Sequence, residues 1–215
     1  MTQFQVYAED KARALRHFQS QSHGYNRLVE RGALKYVRAR ERQALLQLAE
    51  FGDPSISTMI DVGSGGGVYA LAAKAAGLRV TAVDVCQGMI DNLAGKVDLA
   101  FVGDVESLHL DARYDVVVCS GALDFVLHPE IAFRNLGHLV APGGRLIVQV
   151  PRASVGGHLY AWGVKAWGGF RMNLFTVHWL AREAELSGLA LVRSQYPLPH
   201  NLVARFQRPA TLPAD

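Results

Sequence analysis

The chain has 215 residues, half of them hydrophobic and 19% charged, with a formal net charge of +3 and a mean hydropathy of +0.10. That apolar content can bury one substantial core, which excludes a disordered chain, and 21 glycines without a three-residue period exclude a collagen-like one. Two cysteines, Cys86 and Cys119, both inside apolar runs, support neither a disulfide framework nor a four-ligand zinc site, so a reducing, cytoplasmic setting is expected.

The opening stretch MTQFQVYAEDKARALRHF carries charge where a signal peptide needs an apolar run. No segment reaches the roughly 18 uncharged apolar residues of a membrane span, so a soluble protein is expected. Residues 1–50 hold nine Lys/Arg against five Asp/Glu, and the rest holds 13 against 14, so the basic character is local. It reads either as a solvated helical face or as an attraction to an anionic substrate, lipid or nucleic acid.

In chain order, residues 26–50 place Leu28, Leu34, Val37, Leu45 and Leu48 at loosely helical intervals among charges, which predicts one or two amphipathic helices in a helical cap over 1–52. Asp53-Pro54-Ser55 breaks that pattern. A strand is expected at 58–62, then a glycine turn, a helix at 68–76, a strand at 79–84, a helix at 87–95 and a short strand at 98–102. Further strands at 114–120 and 145–150 flank a helix at 129–140 and the turn Ala141-Pro142-Gly143-Gly144. Short strands that are apolar throughout belong to a parallel sheet covered on both faces, so the class is α/β, doubly wound. Residues 189–198 and 202–206, separated by a Pro-His-Asn turn, read as an antiparallel hairpin. No repeat or linker divides the chain. One domain is expected over 1–215, with the cap at 1–52, a core at 53–150, an insertion at 151–180, and a closing helix and hairpin at 181–215.

The strongest local signal is Asp61-Val62-Gly63-Ser64-Gly65-Gly66-Gly67, between a strand and a helix. Glycines there let a ligand lie against bare main chain beside the next helix's N-terminal amides. A dinucleotide fingerprint started at Gly63 fails at Val68, and no Lys-Ser/Thr follows to make a phosphate loop. An acidic residue followed by G-x-G-x-G does fit. Asp84, at the end of the second strand, suits both hydroxyls of a ribose, or equally a cap on the helix at 87. After the third strand, in Gly103-Asp104-Val105, the acid suits an adenine amino group and the valine offers an amide and an apolar contact. Cys119-Ser120-Gly121 brings small residues to a fourth strand end. Four consecutive strand ends thus offer groups suited to one nucleoside.

On these residues the sequence resembles the class I S-adenosylmethionine-dependent methyltransferases, in particular the small-metabolite type of the ubiquinone/menaquinone and biotin pathways. DVGSGGG, Asp84, GDVESL, YDVVVCSGALDFV and VAPGGRLIV carry the likeness over about residues 20–150. It implies a Rossmann-like sheet of seven strands, mostly parallel, closed by an antiparallel C-terminal hairpin strand under an N-terminal helical lid. It also implies S-adenosyl-L-methionine as cofactor, S-adenosyl-L-homocysteine as product, and no metal. The methionine part falls to Asp61, Gly63, Ser64 and Gly65, the ribose to Asp84 with Val85 and Met89, and the adenine to Gly103, Asp104 and Val105. Ser120 and Gly121 lie near the donor, and Tyr25 is the lid residue expected to touch it.

Methyl transfer then needs a nucleophile aligned behind the methyl and water excluded. Candidate bases for a hydroxyl or protonated amine are His158, His178, Asp124 and His128. Substrate clues are expected at the N-terminus, where Tyr7, Phe18, His23 and Tyr25 form a lid over the donor, with Tyr7 a substrate contact, or else pack as ordinary helix, and in residues 151–175, where Tyr160, Trp162, Trp167, Phe170 and Phe175 form an apolar wall with Arg152, Lys165 and Arg171 for an anionic group. The bland reading of that wall is core packing or an oligomer interface, in a monomer or homodimer. The expected reaction is transfer to an O or N atom of a small, largely apolar metabolite. The alternatives are an acceptor held at an anionic membrane (a quinone, tetrapyrrole or phospholipid head group) and a non-catalytic binding scaffold. A nucleic-acid partner is not expected, because Ser120-Gly121-Ala122-Leu123-Asp124 stands where base-amine methyltransferases often carry Asn/Asp-Pro-Pro-aromatic, and no separate basic module is present.

Overall fold

The computed structural model of the chain describes residues 6–21 and 34–210. Seven strands form one sheet: β1 (Thr58–Val62), β2 (Arg79–Asp84), β3 (Leu99–Val102), β4 (Tyr114–Ser120), β5 (Val140–Pro151), β6 (Ala190–Gln195) and β7 (Asn201–Gln207). Their order is β3-β2-β1-β4-β5-β7-β6. The first five in that order run parallel, and β7 runs antiparallel to both β5 and β6. The order reverses at β1, between β2 and β4, and there the strand tips leave the crevice in which doubly wound folds bind ligands.

The strands sort their side chains by period two. Ile60, Val62, Val117, Cys119, Leu146 and Val148 enter one core, under α5 (Pro129–His138) and α7 (Val177–Leu186). Met59, Val116, Val118 and Ile147 enter the other, under α2 (Leu34–Ala49) and α3 (Val68–Ala75). Both faces are therefore dry, as the uninterrupted apolar runs require. The remaining helices are α1 (Ala8–Gln21), α4 (Gln87–Leu93) and α6 (Val155–Gly168), with a 3-10 turn at Leu123–Phe125. Among the described residues, no helix is long and apolar enough to cross a membrane.

One expectation needs correction, and one helix was not assigned from sequence. The segment 141–144 is not a plain turn: β5 starts at Val140, which pairs with Tyr114, and the register then shifts before Val116 pairs with Arg145. The glycine pair lets the strand bulge rather than stop. Residues 155–168, inside the expected insertion, form α6. Ser154 caps it, its hydroxyl accepting from the Gly157 amide at 3.1 Å. A Cβ at Gly157 would lie 1.7 Å from the Arg152 carbonyl oxygen, so this glycine allows the helix to start tight against the chain that feeds it.

Candidate active site

The glycine turn after β1 is pinned to β2. Gly63 and Ser64 donate their amides to the Val83 carbonyl at 2.8 and 3.0 Å, and Gly65 donates to Asp84 Oδ2 at 2.8 Å. Asp84 Oδ1 accepts from the Cys86 amide at 2.9 Å, so one carboxylate joins two strand-end loops. Burial raises the Asp84 carboxyl above its ordinary value, against the pull of those amides. Asp61 lies beneath the turn. Gly67, the N-cap of α3, has no side chain to offer, and Asp61 Oδ2 accepts from the Ala70 amide at 3.1 Å in its place. Asp61 Oδ1 and the Ser64 hydroxyl are buried without a hydrogen-bond partner among the described residues.

At the third strand end, Lys11 of α1 donates to Asp104 at 2.6 Å and also to Glu106. Burial lowers the Lys11 pKa, but the two carboxylates outweigh it and leave it raised. Glu106 Oε1 accepts from the Leu127 and His128 amides, and Asn135 donates to the carbonyls of Val105 and Glu106, which fixes this loop from below. Asp10 accepts from the Arg171 amide at 3.1 Å and Arg13 donates to the Gly169 carbonyl, so α1 is also tied to the segment after α6.

Around these strand tips opens a cavity of about 620 Å³. Of the residues singled out from sequence, Gly63, Gly65, Asp84, Val85, Met89 and Gly103 line it, and so do Asp104, Val105, Ser120, Gly121 and Asp124. From the insertion, Tyr160, Trp167 and Phe170 line it as well. Asp61 and Ser64 support the turn from underneath and are not on the wall. Tyr25 and His23 lie outside the described residues.

Other residues singled out from sequence lie elsewhere. His158 on α6 and His178 on α7 are exposed and do not line the cavity. His128 is likewise exposed, 3.6 Å from Glu130. Trp162 is 72% exposed, on a face of α6 turned from the cavity. Tyr7 is 62% exposed and lies under the Arg171 guanidinium, and Arg152 stacks on Tyr196, so neither lines the wall. Asp124 is the one proposed base left inside. It is 8% exposed, its Oδ1 has no hydrogen-bond partner among the described residues, and burial raises its pKa well above its ordinary value, with Arg38 pulling it down and Glu41 pushing it up.

Sequence reasoning missed Lys11, Arg38, Glu41, Gln149, His200 and Asn201, all on the cavity wall. Arg38 and Glu41 look like any exposed pair at helical spacing, and His200 and Asn201 like turn residues. Phe18, Phe125 and Phe170 close one side, their ring centroids 5.4 to 6.3 Å apart. Among the described residues, no group of His, Cys, Asp or Glu is arranged to hold a metal ion.

A family described as a methyltransferase domain matches residues 33–194, most of the chain. The chain belongs to the class I S-adenosylmethionine-dependent methyltransferase family. The ubiquinone biosynthesis O-methyltransferase of Coxiella burnetii is 33% identical over 109 residues, 47% of each chain, so this chain spans about half the length of the curated relatives it matches. A solved magnesium protoporphyrin IX methyltransferase from Synechocystis PCC 6803, with bound S-adenosylhomocysteine, superposes with a TM-score of 0.73 at 16% identity over 92% of this chain and 99% of that one. The 1,6-didemethyltoxoflavin-N1-methyltransferase of Burkholderia thailandensis gives 0.71 at 22% identity over 96% and 92%. The [4+2]-cyclase SpnF shares the same fold at a TM-score of 0.66, 16% identity and 84% coverage of both chains, so this fold alone does not assign a reaction.

Proposed function

We propose that this chain is an active methyltransferase that moves the methyl of S-adenosylmethionine to an O or N atom of a small, largely apolar metabolite. The observation that carries the reading is the sharing of one cavity by two sets of groups. Asp84, Asp104 and Val105 stand at consecutive strand tips on one side, and Asp124 with an aromatic wall stands on the other.

The residues fit a nucleoside bearing a cationic amino-acid arm. Asp84 keeps lone pairs for the ribose hydroxyls, Asp104 can accept from the adenine amino group, and Met89 and Val105 supply apolar contact at 2% and 6% exposure. The bare main chain at Gly63 and Gly65 leaves room for the methionine arm, with Asp61 beneath it. When bound, S-adenosylmethionine supplies an electrophilic methyl on a sulfonium sulfur. The protein's part is to orient the acceptor, exclude water and take a proton. Asp124 is the group for the last step. Burial raises its pKa and a cation in the same cavity pulls it back toward the ionised form, so it accepts the acceptor's proton most readily when the cavity is loaded.

Calorimetry with S-adenosylmethionine and S-adenosylhomocysteine tests the reading directly, and absence of binding by both would sink it. A mass-spectrometric screen of cell extract for donor-dependent gain of one methyl then finds the acceptor.

One observation favours a second reading, in which the acceptor is a quinone, tetrapyrrole or phospholipid head group held at a membrane. On α6, Val155, Leu159, Trp162 and Trp167 are 66 to 95% exposed, the helix has no acidic residue, and Leu159, Tyr160 and Trp167 also reach the cavity wall. Co-sedimentation with anionic vesicles at low salt separates the two readings. No binding removes the membrane one.

A further inference from the structure

Gln149 of β5 carries a hydrogen-bond donor that the fold leaves unused. The residue is 6% exposed and lines the cavity, and its Oε1 accepts from the Tyr69 hydroxyl at 3.2 Å. The amide is thereby held one way round, with its NH2 turned from Tyr69. That NH2 has no hydrogen-bond partner among the described residues, and unlike Asp124 Oδ1 and Asn201 Oδ1 it is not closed off from solvent. Because the residue is set so deeply in the cavity wall, its accessible surface opens into the cavity. A nearly buried amide donor in such a place is a recognition point for an oxygen of the cavity's ligand.

The sheet order indicates which ligand that is. The groups that suit S-adenosylmethionine stand at the tips of β1, β2 and β3, whereas Gln149 lies on β5, beyond β4, in register with Ser120. Strands about 4.8 Å apart put β5 about 10 Å across the sheet from β1. The neighbours of Gln149 belong to the acceptor's end of the cavity. The Gly121 amide donates to the Gln149 carbonyl at 3.0 Å, and Asp124 Oδ2 lies 3.8 Å from the place a Cβ on Gly121 would take. Gly121, with no side chain, leaves the space beside Asp124 open.

We infer that Gln149 is a specificity-determining contact for the methyl acceptor, its NH2 donating to an oxygen of that molecule, and that Tyr69 is a positioning residue that holds the amide the right way round. The inference rests on the methyltransferase reading and adds a requirement to it, a lone-pair oxygen on the acceptor at the tip of β5. A carbon group there leaves the amide unpaired, and an ammonium group sets donor against donor. The carboxylate of S-adenosylmethionine is the other oxygen that could take this amide, so the test separates the two sources.

The test uses acetophenone and isopropenylbenzene, which share a shape and differ in carrying an oxygen or a carbon at one position. The aromatic wall of Phe18, Phe125 and Phe170 suits the ring of either probe. Each is titrated by calorimetry into unloaded protein and into protein saturated with S-adenosylhomocysteine, and NMR of isotope-labelled protein follows the Gln149 side-chain amide. The expected result is that acetophenone binds about fivefold more tightly, the ratio one neutral hydrogen bond supplies, and shifts the Gln149 signal. Gln149→Glu keeps a partner for Tyr69 but has no NH2, and should abolish that ratio with S-adenosylhomocysteine affinity unchanged. Tyr69→Phe lets the amide turn over and should lower the ratio. If either variant does not fold, the wild-type ratio and the amide shift decide alone. Equal binding of the two probes, binding of neither, or a ratio kept in Gln149→Glu overturns the inference, and a ratio kept in Tyr69→Phe overturns the positioning role. An amide shift caused by S-adenosylhomocysteine itself, with about tenfold loss of its affinity in Gln149→Glu, would also overturn it by giving the amide to the methyl donor's carboxylate. The ratio on unloaded protein, together with no binding of S-adenosylhomocysteine, would support the contact and remove the methyltransferase reading.

Discussion

Lys11 and Asp104 stand 93 residues apart in the chain and 2.6 Å apart in space. The contact brings α1 down over the third strand end, and Glu106 holds the same ammonium from the other side. At 18% exposure for Lys11 the pair is partly shielded, so it is worth about 1 kcal/mol, more than an exposed pair and less than a buried one. Lys11→Met keeps the stem and removes the charge. Amide exchange across residues 8–21 should then speed up by about fivefold, the factor that energy corresponds to, while the sheet is unaffected. Equal exchange in α1 would show that the helix is held by its apolar face alone.

Asp84 is an acceptor for two loop amides before any ligand arrives. Asp84→Asn preserves shape but turns an NH2 toward either the Gly65 or the Cys86 amide, donor against donor, at a cost of about 1–3 kcal/mol. A lower melting temperature and S-adenosylmethionine affinity weakened by at least about tenfold should appear together. Loss of stability with unchanged affinity would make Asp84 a loop brace and nothing more.

Gly63 has φ +77° and a Cβ there would lie 2.4 Å from the Ala122 Cβ. Gly63→Ala therefore combines a left-handed backbone cost of about 1–2 kcal/mol with an overlap of about 1–3 kcal/mol. Ala122→Gly relieves only the overlap. Urea unfolding of the two single variants and the double should give a positive coupling, with the double variant more stable than Gly63→Ala. Additive losses would mean that the backbone term is the whole effect.

The core was readable because its signals are local. Runs such as RVTAVD and YDVVVCS can only be strands buried on both faces, and β2 and β4 occupy the residues expected of them. α6 was not readable, since its four glycines each cost a helix about 1 kcal/mol and look like a loop. Contacts at Arg152 and Pro199 require two of them, and tertiary packing overrides the propensity. The site divides in the same way. Its nucleoside end is built from residues beside their own strands, so spacing exposes it. Another part of its wall joins Glu41 to Asn201 across 160 residues, and nothing near either one in sequence marks the other.

Asp61 gives the protein a pH dependence of unusual sign for a carboxylate. Its burial beneath the glycine turn raises the pKa to about 7 from an ordinary 3.8, against the Ala70 hydrogen bond, with the Asp84 charge adding to the rise. Below pH 3.8 the group is protonated in both folded and unfolded chains, and its contribution to stability is fully present. Between pH 3.8 and 7 the unfolded chain ionises while the folded one does not, so that contribution is lost as pH rises. Above about pH 7 both forms are ionised and the loss levels off. Asp61→Asn keeps a carbonyl to cap α3 and cannot titrate. Urea unfolding should find its stability gaining on wild type by several kcal/mol, as an order of magnitude, between about pH 4 and 7, and running parallel above that. Parallel curves across the whole range would mean that Asp61 is ionised in the fold, with its second oxygen partnered.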